Sequence, residues 1–462
     1  MILALLIYCA VLTAIGLYTA RRVQGASDFY VAGRSLSSPL LFSTFLAANL
    51  GAGSTVGVAG FAYADGLSAW WWVASAGFGS LVLAFWIGPR IYRIASKYNL
   101  LTVGDYLEHR YSRPVRLITA GLLWLGSLAI LAGQLIALGF ILNVVAGIPT
   151  HWGIALGGFI VTLYFTAGGL LSTAWVNLVQ VCVKAVGFGI ALPWALTNVA
   201  GWSDIQAAAN SESYVSLTGI GLDGIAGYAI ILIPAFFVSP GLLQKLYGAK
   251  DESTIRRGIG LQGIVLLLYS AFPVLLGMIA FARFPHLANP ELALPTLLAD
   301  AFPVWLGGLM LAAIFSAEIS SADAVLFMLS TSVARDLYQT VLRPKATDEA
   351  LLRVTRITAV IAGLGGIALA LWLGSIIKAL LVFYSLLVVT LFVPLVAGLY
   401  SARPKASAAL ASIAAAVPAT LAIHALTDGQ GFGLITPVAA GILVSALAFA
   451  SMAVWQRRAA SV

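Results

Sequence analysis

Residues 43–57 read Ser43-Thr-Phe-Leu-Ala-Ala-Asn-Leu-Gly-Ala-Gly-Ser-Thr-Val-Gly57, an apolar run with Gly51 and Gly53 at its middle. A helix crossing lipid must satisfy its own backbone polar groups. Unwound backbone at mid-depth therefore survives only where protein or a water-filled cavity shields it. A second stretch, Pro234-Ala-Phe-Phe-Val-Ser-Pro-Gly241, has the same character. Pro240 removes a backbone donor and Gly241 relaxes the chain. Either break alone is weak, since a lone Gly-x-Gly in a membrane helix is more often a close helix contact. Their positions in the chain give the pair its meaning.

The chain has 462 residues, 61% of them apolar and only 9% charged, with a mean hydropathy of +0.99. Soluble domains carry about 25% charged residues. A chain this poor in charge cannot coat its own surface, so lipid is its outer solvent and runs of about 20 apolar residues read as spanning helices. Thirteen such runs are expected, over residues 2–20, 39–60, 66–89, 117–147, 152–171, 173–200, 222–246, 258–283, 301–334, 354–374, 375–402, 406–426 and 430–455. The fold class is thus all-α and integral to a membrane. Residues 1–38 hold an extra N-terminal helix and a loop, and 403–462 hold two extra C-terminal helices. Between them lie two sets of five spans, 39–200 and 222–402, joined by an external loop over 201–221. Each set opens on a broken helix. Five is odd, so the second set starts from the opposite side of the membrane, as an inverted repeat. Interrupted helices at corresponding places in two such halves are the best sequence pointer to a transporter's binding site.

The charges give the orientation. Alternate connections collect 22 of the 25 basic residues, from Arg21 and Arg22 through Arg116 and Lys245 to Arg457 and Arg458. The opposite loops carry Asp65, Asp204, Glu212, Glu291 and Asp428. The positive-inside rule places the basic side in the cytoplasm, the N-terminus outside and the C-terminus inside, in the plasma (bacterial inner) membrane. Topology also accounts for the net charge of +8, and no nucleic-acid partner is expected. Cys9 and Cys182 sit in apolar runs, which argues against a disulfide framework. The run 2–20 lacks a basic n-region and is read as a retained helix. A channel would need a pore loop or a ring of charge. An intramembrane enzyme would need paired acids, and Glu318 and Asp323 stand about 140° apart around a helix. His109, His151, His286 and His424 have no metal-ligand spacing. No enzymatic activity is expected.

Five stretches carry a resemblance: Asp28-Phe-Tyr-Val-Ala-Gly-Arg-Ser-Leu36, Ala47-Ala-Asn-Leu-Gly51, Gly168-Gly-Leu-Leu-Ser-Thr-Ala-Trp-Val-Asn-Leu-Val-Gln180, Ser239-Pro-Gly-Leu-Leu-Gln-Lys245 and Ser320-Ser321 followed by Arg335-Asp-Leu-Tyr338. In this order, over about residues 25–402, they resemble the sodium/solute symporter family, the proline branch most. The resemblance implies a broken-helix inverted-repeat fold, coupling to sodium, and a sodium site made of backbone oxygens of Ala47, Leu50 and Ala317 with the hydroxyls of Ser320 and Ser321. Ala317, Ser320 and Ser321 are spaced i, i+3, i+4 and so share a helix face. On the residues alone, serines in a membrane helix bond back to the i−4 carbonyl more often than they hold an ion; the resemblance reverses that preference.

One departure stands out. Many relatives have an aspartate on the fifth core helix where this chain has Asn177, while an acid appears instead at Asp323. Lys184 lies two turns from Asn177 on the same face. Charge buried at mid-membrane costs several kcal/mol and is usually paired. Lys184 is therefore expected to pair with Asp323 or Glu318, and Asn177, Lys184, Glu318 and Asp323 form a possible second cation or coupling site. In the sharper alternative the Lys184 ammonium replaces the sodium ion, making transport proton-coupled or uncoupled; the intact Ser320 and Ser321 argue for sodium.

The solute is expected between the breaks, beside Gly51, Ala52, Gly53, Ser54, Gln134, Phe236, Ser239 and Pro240. A hexose would need more hydrogen-bonding groups than these supply. An amino acid such as proline, or a small carboxylate, fits better. Trp70-Trp71-Trp72 reads as an interfacial aromatic belt. The chain is thus expected to be a sodium-coupled symporter of a small organic solute working by alternating access, with no oligomer required.

Overall fold

A computed structural model describes residues 30–165, 170–209, 211–401 and 405–459. The expected first span, 2–20, with Cys9, Arg21 and Arg22, lies outside the described residues, as do Asp28, Gly168 and Gly169. The described chain is helical, its only β features being two isolated bridges.

The helices that matter here are α1 (Ser38–Asn49), α2 (Val56–Asp65), α3 (Trp70–Val82), α4 (Gly88–Lys97), α5 (Val103–Arg110), α6 (Arg113–Ala146), α7 (Thr150–Phe165), α8 (Leu170–Asn198), α9 (Gly221–Val238) and α10 (Pro240–Tyr247). They continue with α11 (Glu252–Tyr269), α12 (Ala271–Arg283), α13 (Val304–Thr331), α14 (Asp348–Leu373), α15 (Ile376–Tyr400), α16 (Ala406–Leu426) and α17 (Pro437–Ala459). Prolines 39, 114 and 240 open α1, α6 and α10, where a missing N–H is harmless. Left-handed Gly147 and Gly374 (φ of 67° and 63°) end α6 and α14.

Ten helical stretches among the described residues are long and apolar enough to cross a membrane, against thirteen expected spans. The difference has three sources. The first span is not described, the helices from Ala52 to Lys97 run on as one stretch, and α7 is only 16 residues long. A π turn at Leu83–Ile87 joins α3 to α4 without a break.

Burial follows hydrophobic pattern. The Val304–Leu342 stretch is largely apolar and sits at the centre, 89% of its most apolar window buried. It packs against α6 and α8, and α6 packs in turn against α15. Helices α16 and α17 pack on each other and on α15, at the periphery, with 33% and 22% of their windows buried. On one face Glu291, from the hairpin before α13, reaches the start of α15. Its carboxylate accepts hydrogen bonds from the Ile376 and Ile377 N–H groups, both at 3.1 Å, and from the Ser375 hydroxyl at 3.0 Å. An anion there satisfies orphan donors and meets the positive end of the helix dipole. Glu291→Ala should lower the stability of the purified protein by about 1–2 kcal/mol, read as a fall in thermal midpoint.

Candidate solute pocket and cation seat

Both expected interruptions are real. After α1 the chain leaves helical geometry at Leu50 (φ −94°, ψ 82°) and runs extended through Gly51 (φ −134°, ψ −161°). It turns once over Ala52–Ser54 and resumes as α2. Between α9 and α10 the break is shorter, a single residue, Ser239 (φ −54°, ψ 122°), ahead of Pro240.

The freed backbone groups are satisfied locally and across the bundle. The Ala52 N–H donates to Gln134 Oε1 at 2.8 Å, and the Gly51 N–H to Ser54 Oγ at 3.0 Å. The Thr55 hydroxyl bridges Gly51 O at 2.9 Å and Glu318 Oε1 at 2.8 Å. Gly51 is required by space rather than by torsion. A Cβ there would stand 2.4 Å from Ser321 Oγ and 2.6 Å from Gln134 Oε1.

A cavity opens between the breaks, about 830 Å³ with its mouth included. Of the expected residues, Gly51, Gly53, Ser54, Gln134, Phe236 and Ser239 line it. Ala52 and Pro240 do not; Pro240 faces a second cavity, lined also by Thr102, Arg116, Gln244 and Asp336. Helix α10 turns its first residue away because the chain swings at Ser239. Met328 lines both cavities.

Sequence reasoning missed several lining residues. Trp72, assigned to an interfacial belt, is 4% exposed and forms part of the wall, edge-on to Tyr228 and Tyr384. Only its neighbours stay near the surface; Trp71 Nε1 donates to Leu217 O. The spacing Trp72, Val73, Ala76 along one helix face was the available signal. Tyr384 and Phe383 come from α15, and nothing local marks them. Lys245, counted among the loop cations, is 3% exposed and lines the pocket; its Nζ donates to Thr44 O at 3.2 Å. It also supplies the opposite charge acting on buried Asp323.

The proposed ion ligands converge. Ser320 Oγ lies 2.8 Å from Ala47 O and 3.0 Å from Ala317 O; Ser321 Oγ lies 3.2 Å from Ala47 O and from Ala48 O. The broken end of α1 thus meets the middle of α13, where such a set of carbonyls and hydroxyls suits a hard cation. A cation of the chain's own is already there. Lys184 Nζ, fully buried on α8, donates to Ser320 Oγ at 2.7 Å and stands 3.5 Å from Leu50 O. The expected ion pair of Lys184 with Glu318 or Asp323 does not form. Among the described residues no carboxylate oxygen lies within ion-pair distance of this ammonium. The reason is geometric. Glu318 is drawn to Thr55, and Asp323 lies on the Lys245 side of α13. Asn177 donates to Thr44 Oγ1 at 2.9 Å, so it braces α1 rather than pointing at the ammonium.

Comparisons with known proteins give the family and the fold. The family model described as the sodium:solute symporter family matches residues 29–422. A sodium/pantothenate symporter of Escherichia coli is 29% identical over 97% of this chain and 95% of its own length. A sodium/glucose cotransporter of Vibrio parahaemolyticus is 26% identical over 82% and 76%, and a sodium/proline symporter of E. coli 25% identical over 80% and 76%. Among solved structures, a substrate-bound, outward-open Na+-coupled sialic acid symporter shares the fold with a TM-score of 0.82 at 18% identity, covering 97% of this chain and 96% of its own. With a family match over most of its length, this chain belongs to the sodium:solute symporter family.

Proposed function

We propose that the chain is a secondary active transporter that carries a small organic solute into the cell by alternating access, with sodium as the driving ion. The observation that carries this reading is the meeting of two interrupted helices beside one pocket. The five-plus-five inverted repeat, a plasma-membrane location with the C-terminus in the cytoplasm, and the absence of enzymatic chemistry belong to the same proposal. The family and its sodium-coupled relatives support sodium. The pocket wall supports a compact carboxylate-bearing solute, such as proline or a small organic acid. Trp72, Phe236 and Tyr384 offer apolar faces, and among the described residues that line the pocket Lys245 is the one charged side chain. A carboxylate finds its charge partner there, whereas a hexose would leave its hydroxyls unmatched.

One observation favours a second reading. The Lys184 ammonium donates to Ser320, a member of the proposed sodium set. Two like charges do not share one set of oxygens, since the repulsion in a dry site far exceeds the gain from any single ligand. In this reading the tethered ammonium serves as the cation, and transport is proton-coupled or uncoupled.

Proteoliposome uptake of labelled proline, pantothenate and lactate separates the two readings. Sodium coupling predicts concentrative uptake that collapses, at least about tenfold, when choline replaces sodium. The tethered-cation reading predicts uptake indifferent to sodium in the wild type and altered in Lys184→Met, whose vacated seat admits sodium. Sodium-indifferent uptake would sink the first reading, and sodium-dependent uptake unchanged by Lys184→Met would sink the second.

A further inference from the structure

Away from the solute pocket, an open cleft lies at the arginine-rich ends of α4, α5 and α15, lined by Arg90, Arg93, Arg110, Leu399, Tyr400 and Ser401. Two of its three guanidinium groups are available to a ligand. Arg110 is committed to the wall, donating from Nε to Gly398 O at 2.7 Å and from Nη2 to Ser401 O at 2.9 Å. Arg90 lies 4.4 Å above the Tyr400 ring, which orients the guanidinium without neutralising it. Arg93 meets one carboxylate, Glu252 at 3.1 Å, but that pair is solvent-exposed and correspondingly weak. Two uncommitted arginines, Arg90 and Arg93, thus face one exposed acid. A pair of planar guanidinium forks matches an anion with several oxygens, a phosphate above all.

The surroundings choose between a free phosphate and one carried by a lipid. Within one to two turns before Arg90, Phe85 and Trp86 stand 54% and 66% exposed on a stretch long enough to cross a membrane. Trp86 packs edge-on to Tyr400, the same ring that underlies Arg90. An aromatic shelf ending in a basic cleft has the layout of an acyl-chain surface leading to a headgroup site. A free phosphate would make no use of the shelf.

We propose that this cleft binds the phosphate of an anionic phospholipid, with the acyl chains lying along Phe85 and Trp86. The test compares the full-length protein with R90Q/R93Q, purified in neutral detergent and titrated with dioleoyl phosphatidylglycerol, dioleoyl phosphatidylcholine or inorganic phosphate. Bound lipid is counted by native mass spectrometry. The wild type should retain phosphatidylglycerol in preference to phosphatidylcholine. Each basic charge near a membrane surface accounts for about a fivefold gain in affinity, so the double variant should lose roughly 25-fold. R343Q, which removes an arginine elsewhere on the same face, should bind as the wild type does. Equal retention by wild type and R90Q/R93Q, equal retention of the two lipids, an R343Q loss matching that of the double variant, or competition by millimolar phosphate alone would each overturn the proposal. Should the double variant fail to fold, R90Q alone carries the same comparison with about a fivefold loss expected.

Discussion

Gly51→Val should abolish solute uptake while leaving the protein in the membrane. The added side chain begins 2.4 Å from Ser321 Oγ, 2.5 Å from Ser321 Cβ and 2.6 Å from Gln134 Oε1, well inside any real carbon contact. Ser321 sits on the most buried helix and Gln134 is held by the Ala52 N–H, so neither can yield freely. The broken segment must therefore pull away from α13. Overpacking of this kind costs about 1–3 kcal/mol. That cost falls on the arrangement in which the segment closes against α13, so uptake should drop tenfold to over a hundredfold. Gly53→Ala is the control. A Cβ there would stand 2.4 Å from Leu380 Cδ1, the far end of a flexible side chain that can turn aside, so uptake should stay within roughly threefold of wild type. Labelled-solute uptake, normalised to protein in the membrane, reads both. Wild-type transport by Gly51→Val would show that residues 51–54 do not pack against α13 during the cycle.

The largest loss of stability should come from Arg116→Ala. This guanidinium is 7% exposed and gathers three carboxylates. Nη2 is 2.8 Å from Asp336 Oδ1 and 2.8 Å from Asp105 Oδ1, while Nη1 is 2.8 Å from Glu108 Oε2. Asp336 is further held by the Thr102 hydroxyl at 2.7 Å, and Asp105 caps α5 by accepting the Leu101 and Thr102 N–H groups. Removing the arginine leaves acids facing one another in a buried site. Breaking a buried pair from one side costs about 3–5 kcal/mol. Arg353→Ala, which dissolves an exposed pair with Glu349 on one helix face, should cost no more than about 0.5 kcal/mol. Thermal unfolding in mild detergent compares them directly. Equal shifts for the two variants would mean that the cluster contributes nothing beyond surface electrostatics.

The degree to which the site was legible in the sequence follows from the range over which each signal acts. Gly51, Gly53 and Pro240 announce their breaks locally, because glycine and proline act on their own backbone. Ser320 and Ser321 could be paired with Ala47 by resemblance. The destination of Lys184 could not be read, since its partner lies 136 residues away and three helices had to be placed before the contact existed. Charge arithmetic alone paired it with an acid. The same gap explains Lys245, which ends a hydrophobic run and so read as a loop cation until α10 folded it beneath the pocket. Trp72 was misplaced for a related reason: three consecutive tryptophans point in three directions around a helix, and only one of them points inward. Expected spans 39–60 and 66–89 are joined by a short 3-10 turn at Gly66–Ala69, and the π turn at Leu83–Ile87 carries the second of them on into α4; such irregular turns leave no mark in composition.

Met328 belongs to the wall of both cavities, its sulfur 3.9 Å from the Ser127 hydroxyl on one side and beside Gly241 on the other. Its unbranched thioether arm turns about three bonds, each within the reach of ordinary thermal agitation. Met328 is therefore a wall that the two compartments share. Shortening that arm, as in Met328→Ala, should enlarge both compartments at once while the helices around it keep their places.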